Sequence, residues 1–237
     1  AFNQYEPALD LIKQSEDHWQ ERILRNCLAV VHYCMGNFPQ ALGEALYSLR
    51  LCEEFGDRAR EGDNASVVGI VYLDLGMYDH ARKHLEAAVA IHQETGSQWS
   101  EADTLVYIGL LSASMGRYTS ALRYLDRANK IAARIGAKSI VVNAHNAVAW
   151  TLCQRNQGSD AVKAVDEAME AADLSHNTRR IVGEIPGLSR AARATALLGD
   201  TDAARDLSRR AVELLGDQHY IEGPEEEIYY THFRILH

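Results

Sequence analysis

Proline, cysteine and aromatic residues are all scarce in this chain. Its 237 residues include four prolines and four cysteines, and aromatic residues make up 8% of the total. Because proline removes a backbone donor and interrupts helices, its scarcity leaves long stretches free to be helical. The cysteines form neither a CxxC pair nor the framework of a secreted protein, so we expect them to be buried thiols in a reducing, cytoplasmic compartment. They are Cys27, Cys34, Cys52 and Cys153.

An excess of positive charge and long apolar runs are also missing. The chain has 24 basic and 33 acidic side chains, a formal net charge of −9. Binding to a nucleic-acid backbone needs a basic face, so this balance argues against a direct nucleic-acid partner. No uninterrupted apolar run reaches the roughly 18 residues that a membrane helix needs, and no signal peptide is visible. We therefore expect no membrane partner.

Motifs for catalysis are absent from the sequence. It contains no GxxxxGK[ST] loop, no GxGxxG after a strand and no GxSxG elbow. His80 and His84 lie one helical turn apart, a spacing that can hold a metal, but no HExxH motif accompanies them and Lys83 adds positive charge beside them. We expect no enzymatic activity, no cofactor and no metal site.

The sequence does contain a repeat with a period of forty residues. Each copy places a glycine where an apolar helix should end, and glycine adopts the left-handed conformation of a helix C-terminus at little cost. A fixed period of this length is typical of a solenoid, in which each unit packs on its neighbours. The copies are MGNFPQAL from Met35, LGMYDHAR from Leu75, MGRYTSAL from Met115, RNQGSDAV from Arg155 with Asn156 in the glycine place, and LGDTDAAR from Leu198, which arrives forty-three residues on.

Small residues recur at fixed distances from each turn. An alanine lies five residues after the turn glycine of each repeat. A large apolar residue lies eight residues before that glycine, and a small residue follows it directly. Such residues allow two antiparallel helices to approach closely, so the pattern predicts an all-α fold built from helix pairs. The alanines are Ala41, Ala81, Ala121, Ala161 and Ala204.

This arrangement of Leu-Gly, aromatic residue and alanine resembles the tetratricopeptide repeat over nearly the whole chain. The resemblance implies a right-handed superhelical solenoid of antiparallel helix pairs that binds partners on its concave face. The family's aromatic residue near the start of the first helix is missing, and Arg25 stands there in the first repeat. The period exceeds the family's usual thirty-four or so. Forty-residue repeats resemble those of bacterial signalling ATPases, cyclases and transcriptional activators.

The repeat phase predicts where each unit lies and where the pattern fails. Asp57 and Ser97 are placed to cap the first helices of two repeats. Between Leu174 and Leu188 three additional residues and Pro186 predict a longer loop or a shortened helix, either as a hinge or partner loop or as a tolerated insertion. We expect one solenoid domain excised from a longer protein. Its parts are the second helix of a truncated repeat at 1–18, repeats at 19–56, 57–96, 97–136 and 137–175, a divergent repeat at 176–216, and at 217–237 a connector and a helix opening at Pro224.

One face of the first helices is the expected binding surface. The residue six positions before each turn points away from the repeat's second helix, because two positions correspond to about 200° around a helix. This ladder of Val30, Ile70, Leu110 and Trp150 either lines a groove for an apolar or amphipathic peptide, or is buried where neighbouring first helices pack. The predicted partner-binding residues are Asn26, Val30, Tyr33, Ser66, Ile70, Val106, Leu110, Asn146, Trp150, Arg190 and Arg193.

Three functions remain open at this point. The first is a protein-interaction scaffold that holds a peptide, a partner protein or another domain of the same polypeptide. The second is a receptor for a small ligand or signal peptide that controls an attached effector, such as an ATPase or transcriptional activator. The third is self-association. Arg179, Arg180, Arg190 and Arg193 form a basic cluster that either meets an acidic partner segment or is solvated.

Overall fold

The computed structural model of the protein describes residues 18–157, 159–178, 181–216 and 225–237. These residues form eleven helices and no strand, so the all-α prediction is confirmed. The predicted helix at 1–17, the connector after Gly216 and Pro224 lie outside the described residues. The helices are α1 (His18–Cys34), α2 (Phe38–Phe55), α3 (Arg58–Asp74), α4 (Tyr78–Thr95), α5 (Gln98–Ser114), α6 (Tyr118–Ile135), α7 (Lys138–Arg155), α8 (Asp160–Asn177), α9 (Ile181–Leu197), α10 (Thr201–Gly216) and α11 (Glu225–Leu236).

The chain divides into two compact units, Ala1–Leu111 and Ser112–His237. The described part of unit 1 holds α1 to α4 and most of α5, and unit 2 holds α6 to α11. In each unit consecutive helices pack side by side, and the fully described connections between them have two or three residues. None of the described helices is both long enough and apolar enough to cross a membrane.

Glycine in the left-handed conformation ends most of the helices, as the repeat predicts. Six glycines one repeat or half a repeat apart, from Gly36 to Gly136, have φ between 69° and 73°. At Gly36 the next amide, that of Asn37, donates a 2.8 Å hydrogen bond to the His32 carbonyl, which closes the last turn. Asn156 takes the same conformation, with φ 50°. The rhythm of the turns therefore follows from residues that tolerate positive φ.

The two predicted N-caps behave differently. The Asp57 side chain accepts a 3.2 Å hydrogen bond from the Arg60 amide, so the capping prediction is confirmed at α3. At α5 the Ser97 hydroxyl instead donates to the Ser100 hydroxyl over 3.0 Å. Ser100 continues to Asp63 over 3.2 Å, so this pair ties α5 to α3.

Close approach of antiparallel helices holds unit 1 together. A side-chain carbon at Gly62 of α3 would lie 2.8 Å from His92, and one at Gly69 would lie 2.6 Å from Leu85. As α3 advances from 62 to 69, its neighbour α4 runs back from 92 to 85, so the two helices are antiparallel. The surrounding core consists of small and branched residues, Ala29, Ala45, Leu49, Ala65, Val68 and Ala88.

Unit 2 has the same construction but corrects one prediction. Pro186 produces neither a longer loop nor a shortened helix: it lies inside α9, which runs unbroken from Ile181 to Leu197. The neighbouring glycines explain how the helix is accommodated. A side-chain carbon at Gly183 would lie 2.6 Å from the Ser175 hydroxyl, and one at Gly187 would lie 3.0 Å from the Ala168 carbonyl. Gly183, Pro186 and Gly187 are buried, so the additional residues form a stripe against α8 and no long loop.

Arg25 stands where the family has an aromatic residue, and two carboxylates pair with its charge. Its guanidinium carbon lies 3.7 Å from the centroid of the Tyr47 ring, while Nε donates to Glu21 over 2.9 Å and Nη1 to Glu44 over 2.7 Å. Glu21 and Arg25 are both buried. A buried charge is tolerated only when it is paired, and this one has two carboxylates and an aromatic face.

Two of the four cysteines are buried and two are exposed. Cys52 and Cys153 are buried, and burial raises the pKa of both thiols. Cys27 and Cys34 are exposed, which corrects the prediction of four buried thiols. Both lie on faces of α1 that no described helix covers.

Candidate partner-binding surface

Three of the predicted apolar ladder residues lie in unit 1 and remain partly open to solvent. Val30 of α1 is 43% exposed, and Ile70 of α3 and Leu110 of α5 are half-buried. We call these three residues the unit 1 rungs. They come from the first helix of three successive repeats, so the stacking of helix pairs repeats one position at regular intervals. Neighbouring helices thus cover Ile70 and Leu110 in part, and the choice between a groove and buried packing stays a prediction.

Tyr33 is fixed beside the rungs. Its hydroxyl donates a 2.7 Å hydrogen bond to Asp74 Oδ2 at the end of α3. Burial raises the pKa of Asp74, and the hydrogen bond from Tyr33 acts against that rise. The Tyr33 ring also lies 5.9 Å from the Phe38 ring. A tyrosine held in this way presents a rigid aromatic surface at little further entropic cost.

Ser66 is half-buried and belongs to an internal hydrogen-bond network. Its hydroxyl shares a 2.8 Å hydrogen bond with the Thr104 hydroxyl and lies 3.3 Å from His92 Nε2. His92 and Thr104 are buried, and burial lowers the pKa of His92. Ser66 is therefore corrected to a residue that joins α3, α4 and α5.

Val106 and Asn146 are corrected as well, because both are buried. Val106 lies in the core-facing part of α5. Asn146 of α7 donates a 3.3 Å hydrogen bond from Nδ2 to the Gly183 carbonyl of α9. The glycine stripe of α9 brings that carbonyl within reach, so the amide that we expected to contact a partner joins two helices.

One of the predicted basic residues of unit 2 pairs with a carboxylate of the same chain. Arg190 Nη2 lies 3.4 Å from Glu227 Oε2 of α11, so its acidic partner is a residue of the same chain. Trp150 and Arg193 are half-buried. The charges of Arg193 and Arg190 act against the burial that raises the pKa of Cys153. Arg179 and Arg180, the rest of the predicted cluster, lie outside the described residues.

The two histidines with metal-ligand spacing stack on an aromatic ring. Tyr72 lies 5.0 Å from the His80 ring and 5.7 Å from the His84 ring, centroid to centroid. Burial lowers the pKa of His84, with a contribution from Lys83 and His80. Across the described residues, no group of three or more His, Cys, Asp or Glu side chains is arranged to hold a metal ion.

Sequence reasoning missed two polar residues next to Asn26. Arg22 of α1 and Asn64 of α3 are buried beside it and line a small cavity between the two helices. Both positions are buried between helices. The available signal was their polarity, because an arginine and an asparagine are unusual at such positions unless they are paired.

The family comparison agrees with this architecture. The tetratricopeptide repeat model matches residues 19–94, which cover α1 to α3 and nearly all of α4. Residues 19–94 are therefore similar to tetratricopeptide repeats. None of the curated proteins matches the chain in sequence.

Several solved structures share the fold over most of the chain. BtubC (BKLC) from P. vanneervenii matches with a TM-score of 0.70 and 16% identity, over 94% of this chain and 91% of that one. A signal transduction ATPase with a tetratricopeptide repeat sensor from Pyrococcus horikoshii matches with a TM-score of 0.69 and 16% identity, over 96% of this chain and 35% of that one. NprR in complex with its cognate peptide NprX matches with a TM-score of 0.65 and 15% identity, over 98% of this chain and 64% of that one. At these identities the likeness concerns the fold.

Proposed function

We propose that this chain is a non-catalytic binding module that holds a peptide or a segment of a partner protein on the unit 1 rungs. One observation carries the proposal. Val30, Ile70 and Leu110 repeat at one position of three first helices, and the helix stack leaves them partly uncovered. Apolar side chains at regular spacing form a continuous strip, which is the feature an apolar or amphipathic segment recognises.

The neighbouring residues support a peptide as the bound segment. Tyr33 lies three residues after Val30 on α1 and is locked by Asp74, so it is a preorganised aromatic contact. NprR, which has the same fold, was solved with a cognate peptide. The partner is either a separate protein or another domain of the same polypeptide.

The experiment introduces a negative charge among the unit 1 rungs and compares the loss of affinity with that caused by the same substitution on another helix. Val30→Glu alters the first rung, and Val162→Glu is the matched control, because Val162 is an exposed valine on α8 at 55% exposure. Peptides selected from a random displayed library against the native chain serve as ligands, with affinity measured by fluorescence polarisation. We expect Val30→Glu to weaken binding at least about tenfold, because the carboxylate is desolvated without a partner. Equal effects of the two variants, with unchanged helical circular dichroism, would refute the strip as the binding surface.

A second proposal is that binding serves sensing. The Pyrococcus horikoshii signal transduction ATPase, whose chain includes a tetratricopeptide repeat sensor, shares the fold over 35% of its length. In this proposal the occupied strip changes the activity of an attached effector. The test is the effector's activity in the full polypeptide with and without a selected peptide, and an activity that never changes on saturation would exclude sensing while leaving the scaffold function in place.

A further inference from the structure

Helix α11 is held on unit 2 by one of its sides. Ile228 and Thr231 are buried where α11 packs on α9 and α10. The Ser208 hydroxyl of α10 lies 2.9 Å from His232 Nδ1. These contacts set the rotation of α11 about its own axis, so the direction in which its opposite side faces is set as well.

The opposite side of α11 is apolar and uncovered. Tyr229, Tyr230, Phe233 and Leu236 are all exposed, and we call these four residues the α11 patch. Three of them follow at spacings of four and three residues, so they form one stripe along the helix, with Tyr230 at its edge. Single exposed apolar residues are ordinary on a protein surface. Four of them on one side of a twelve-residue helix form a contiguous patch, which indicates an interaction site.

Unpaired charges of opposite sign lie at the two ends of the α11 patch. Glu226 is exposed at the N-terminal end of the helix, and Arg234 is exposed near the C-terminal end. Among the described residues neither side chain forms an ion pair, because Arg234 Nη1 donates to the Tyr230 hydroxyl over 3.2 Å and the ion pair of α11 uses Glu227. A partner that fits this patch therefore brings a cation to one end and an anion to the other.

An antiparallel second copy of α11 has this arrangement. In an antiparallel pair, residues equally far from a common midpoint face each other. A midpoint between residues 231 and 232 places Tyr230 opposite Phe233 of the second copy. The same midpoint places Glu226 opposite His237 of the second copy, at the basic end of that helix. A parallel copy would instead place each Glu226 beside its own counterpart, and like charges at such positions oppose pairing.

We propose that the α11 patch is a self-association surface, on which a second copy of this chain docks with its α11 antiparallel. The pair is two-fold symmetric, so every contact occurs twice and the assembly closes as a dimer. Arg234 lies one turn before His237, and its long side chain reaches Glu226 of the second copy. A lipid surface fits the patch less well, because three glutamates at 225–227 begin the helix and the chain has a net charge of −9.

The dimer should be weak and reversible. A helix of twelve residues is about 18 Å long at roughly 1.5 Å per residue. The contact between two such helices is smaller than a standard protein interface, which buries about 1,600 Å² in total. We therefore expect a monomer–dimer equilibrium with a Kd of about micromolar or weaker.

Sedimentation velocity of the native chain, at concentrations from well below to well above the micromolar range, tests the proposal. We expect the mean sedimentation coefficient to rise with concentration from that of a monomer to the plateau of a dimer. A chain that stays monomeric throughout would overturn the proposal and leave the α11 patch to a partner of different chemistry. Growth beyond a dimer would overturn the two-fold arrangement.

Phe233→Glu tests whether the α11 patch is the contact. Two-fold symmetry buries the new carboxylate twice, so we expect the Kd to weaken at least about tenfold. The helical circular dichroism should stay unchanged, because Phe233 is exposed in the monomer. Trp99→Glu is the matched control, since Trp99 of α5 is an aromatic residue with similar exposure, 53% against 58% for Phe233. Equal weakening by both variants would exclude the patch as the contact.

Reversal of the charges tests the antiparallel direction. Glu226→Arg places like charges opposite each other at both ends of the dimer, so we expect the Kd to weaken at least about threefold. Addition of Arg234→Glu to the same chain restores opposite charges and should return the Kd close to its native value. If the double variant is as weak as Glu226→Arg alone, the antiparallel pairing is wrong. The proposal does not rest on the unit 1 rungs, so Val30→Glu should leave the dimer unchanged.

Discussion

Replacing Gly69 by alanine tests the close approach of helices on which the whole stack depends. The new carbon would lie 2.6 Å from Leu85 Cγ and 3.1 Å from the Leu85 backbone nitrogen. Carbon atoms pack at about 3.5–4.0 Å, so the overlap is close to 1 Å. Leu85 is fully buried and has no room to withdraw, and the backbone contact requires α4 itself to move.

Two opposing effects decide the size of the change. Alanine is favoured over glycine inside a helix by about 1 kcal/mol, which would stabilise the variant. Overpacking of a well-filled core costs about 1–3 kcal/mol. Neither the Leu85 side chain nor its backbone can move easily, so we expect the overpacking cost to exceed the gain in helix propensity. The free energy of unfolding should then fall by about 1–2 kcal/mol.

Gly43→Ala is the matched control for this prediction. Gly43 lies inside α2, is exposed, and has nothing within 4 Å of the added carbon. It should therefore show the helical gain alone, about 0.5–1 kcal/mol of stabilisation. Urea denaturation followed by circular dichroism gives both values, and their difference isolates the overpacking cost. If Gly69→Ala stabilises as much as Gly43→Ala does, the reasoning from close approach is refuted.

Three further predictions concern the turns and two titrating groups. Gly76→Ala should lose about 1–2 kcal/mol because its φ of 70° is left-handed, whereas Asn156→Gly should gain up to about 1 kcal/mol; thermal melts compare the two. The Arg155 guanidinium donates over 2.6 Å to Asp160 and holds the pKa of that carboxyl below its ordinary value. This ion pair therefore stabilises the folded chain fully above about pH 3.9, the ordinary pKa of an aspartate. The stabilisation is lost as the pH falls through the lower pKa that Asp160 has in the folded chain. Asp160→Asn should be less stable at pH 7 and lose less stability on acidification, measured by urea melts from pH 7 to 2. Burial lowers the pKa of His92, so the unfolded chain takes up a proton first and stability falls as the pH drops below about 6.5; His92→Gln should flatten that slope in the same melts, and an unchanged slope would exclude His92 as its source.

The fold was predictable from sequence because its signals are local. A helix that ends in left-handed glycine needs only the residues of its own last turn, and the same signal returned every forty residues. Small residues at fixed offsets then predicted which faces approach closely, and Ala41, Ala81 and Ala121 are indeed fully buried. Pro186 was misread because a proline usually breaks a helix interior. The compensating feature, a pair of flanking glycines packed against α8, acts between helices and is invisible to a local rule.

The proposed binding surface was less predictable because exposure depends on packing between repeats. The positions of Val30 and Val106 both looked open on a helical projection, yet Val30 is exposed and Val106 is buried. Periodicity gives the direction of a side chain around its own helix. It does not give the distance to the next first helix, which depends on residues about forty positions away. The burial of Asn146 has the same cause, since its partner is a carbonyl of α9.

That distance along the chain is itself regular, and it suggests how such pairs can be found in a sequence. Ser66 with Thr104 is 38 residues apart, Asn146 with Gly183 is 37, and Arg190 with Glu227 is 37. Each joins a first helix to the following first helix, so the offset is one repeat less a fraction of a turn. A polar residue on a first helix should therefore be read together with the residue 37 or 38 positions later.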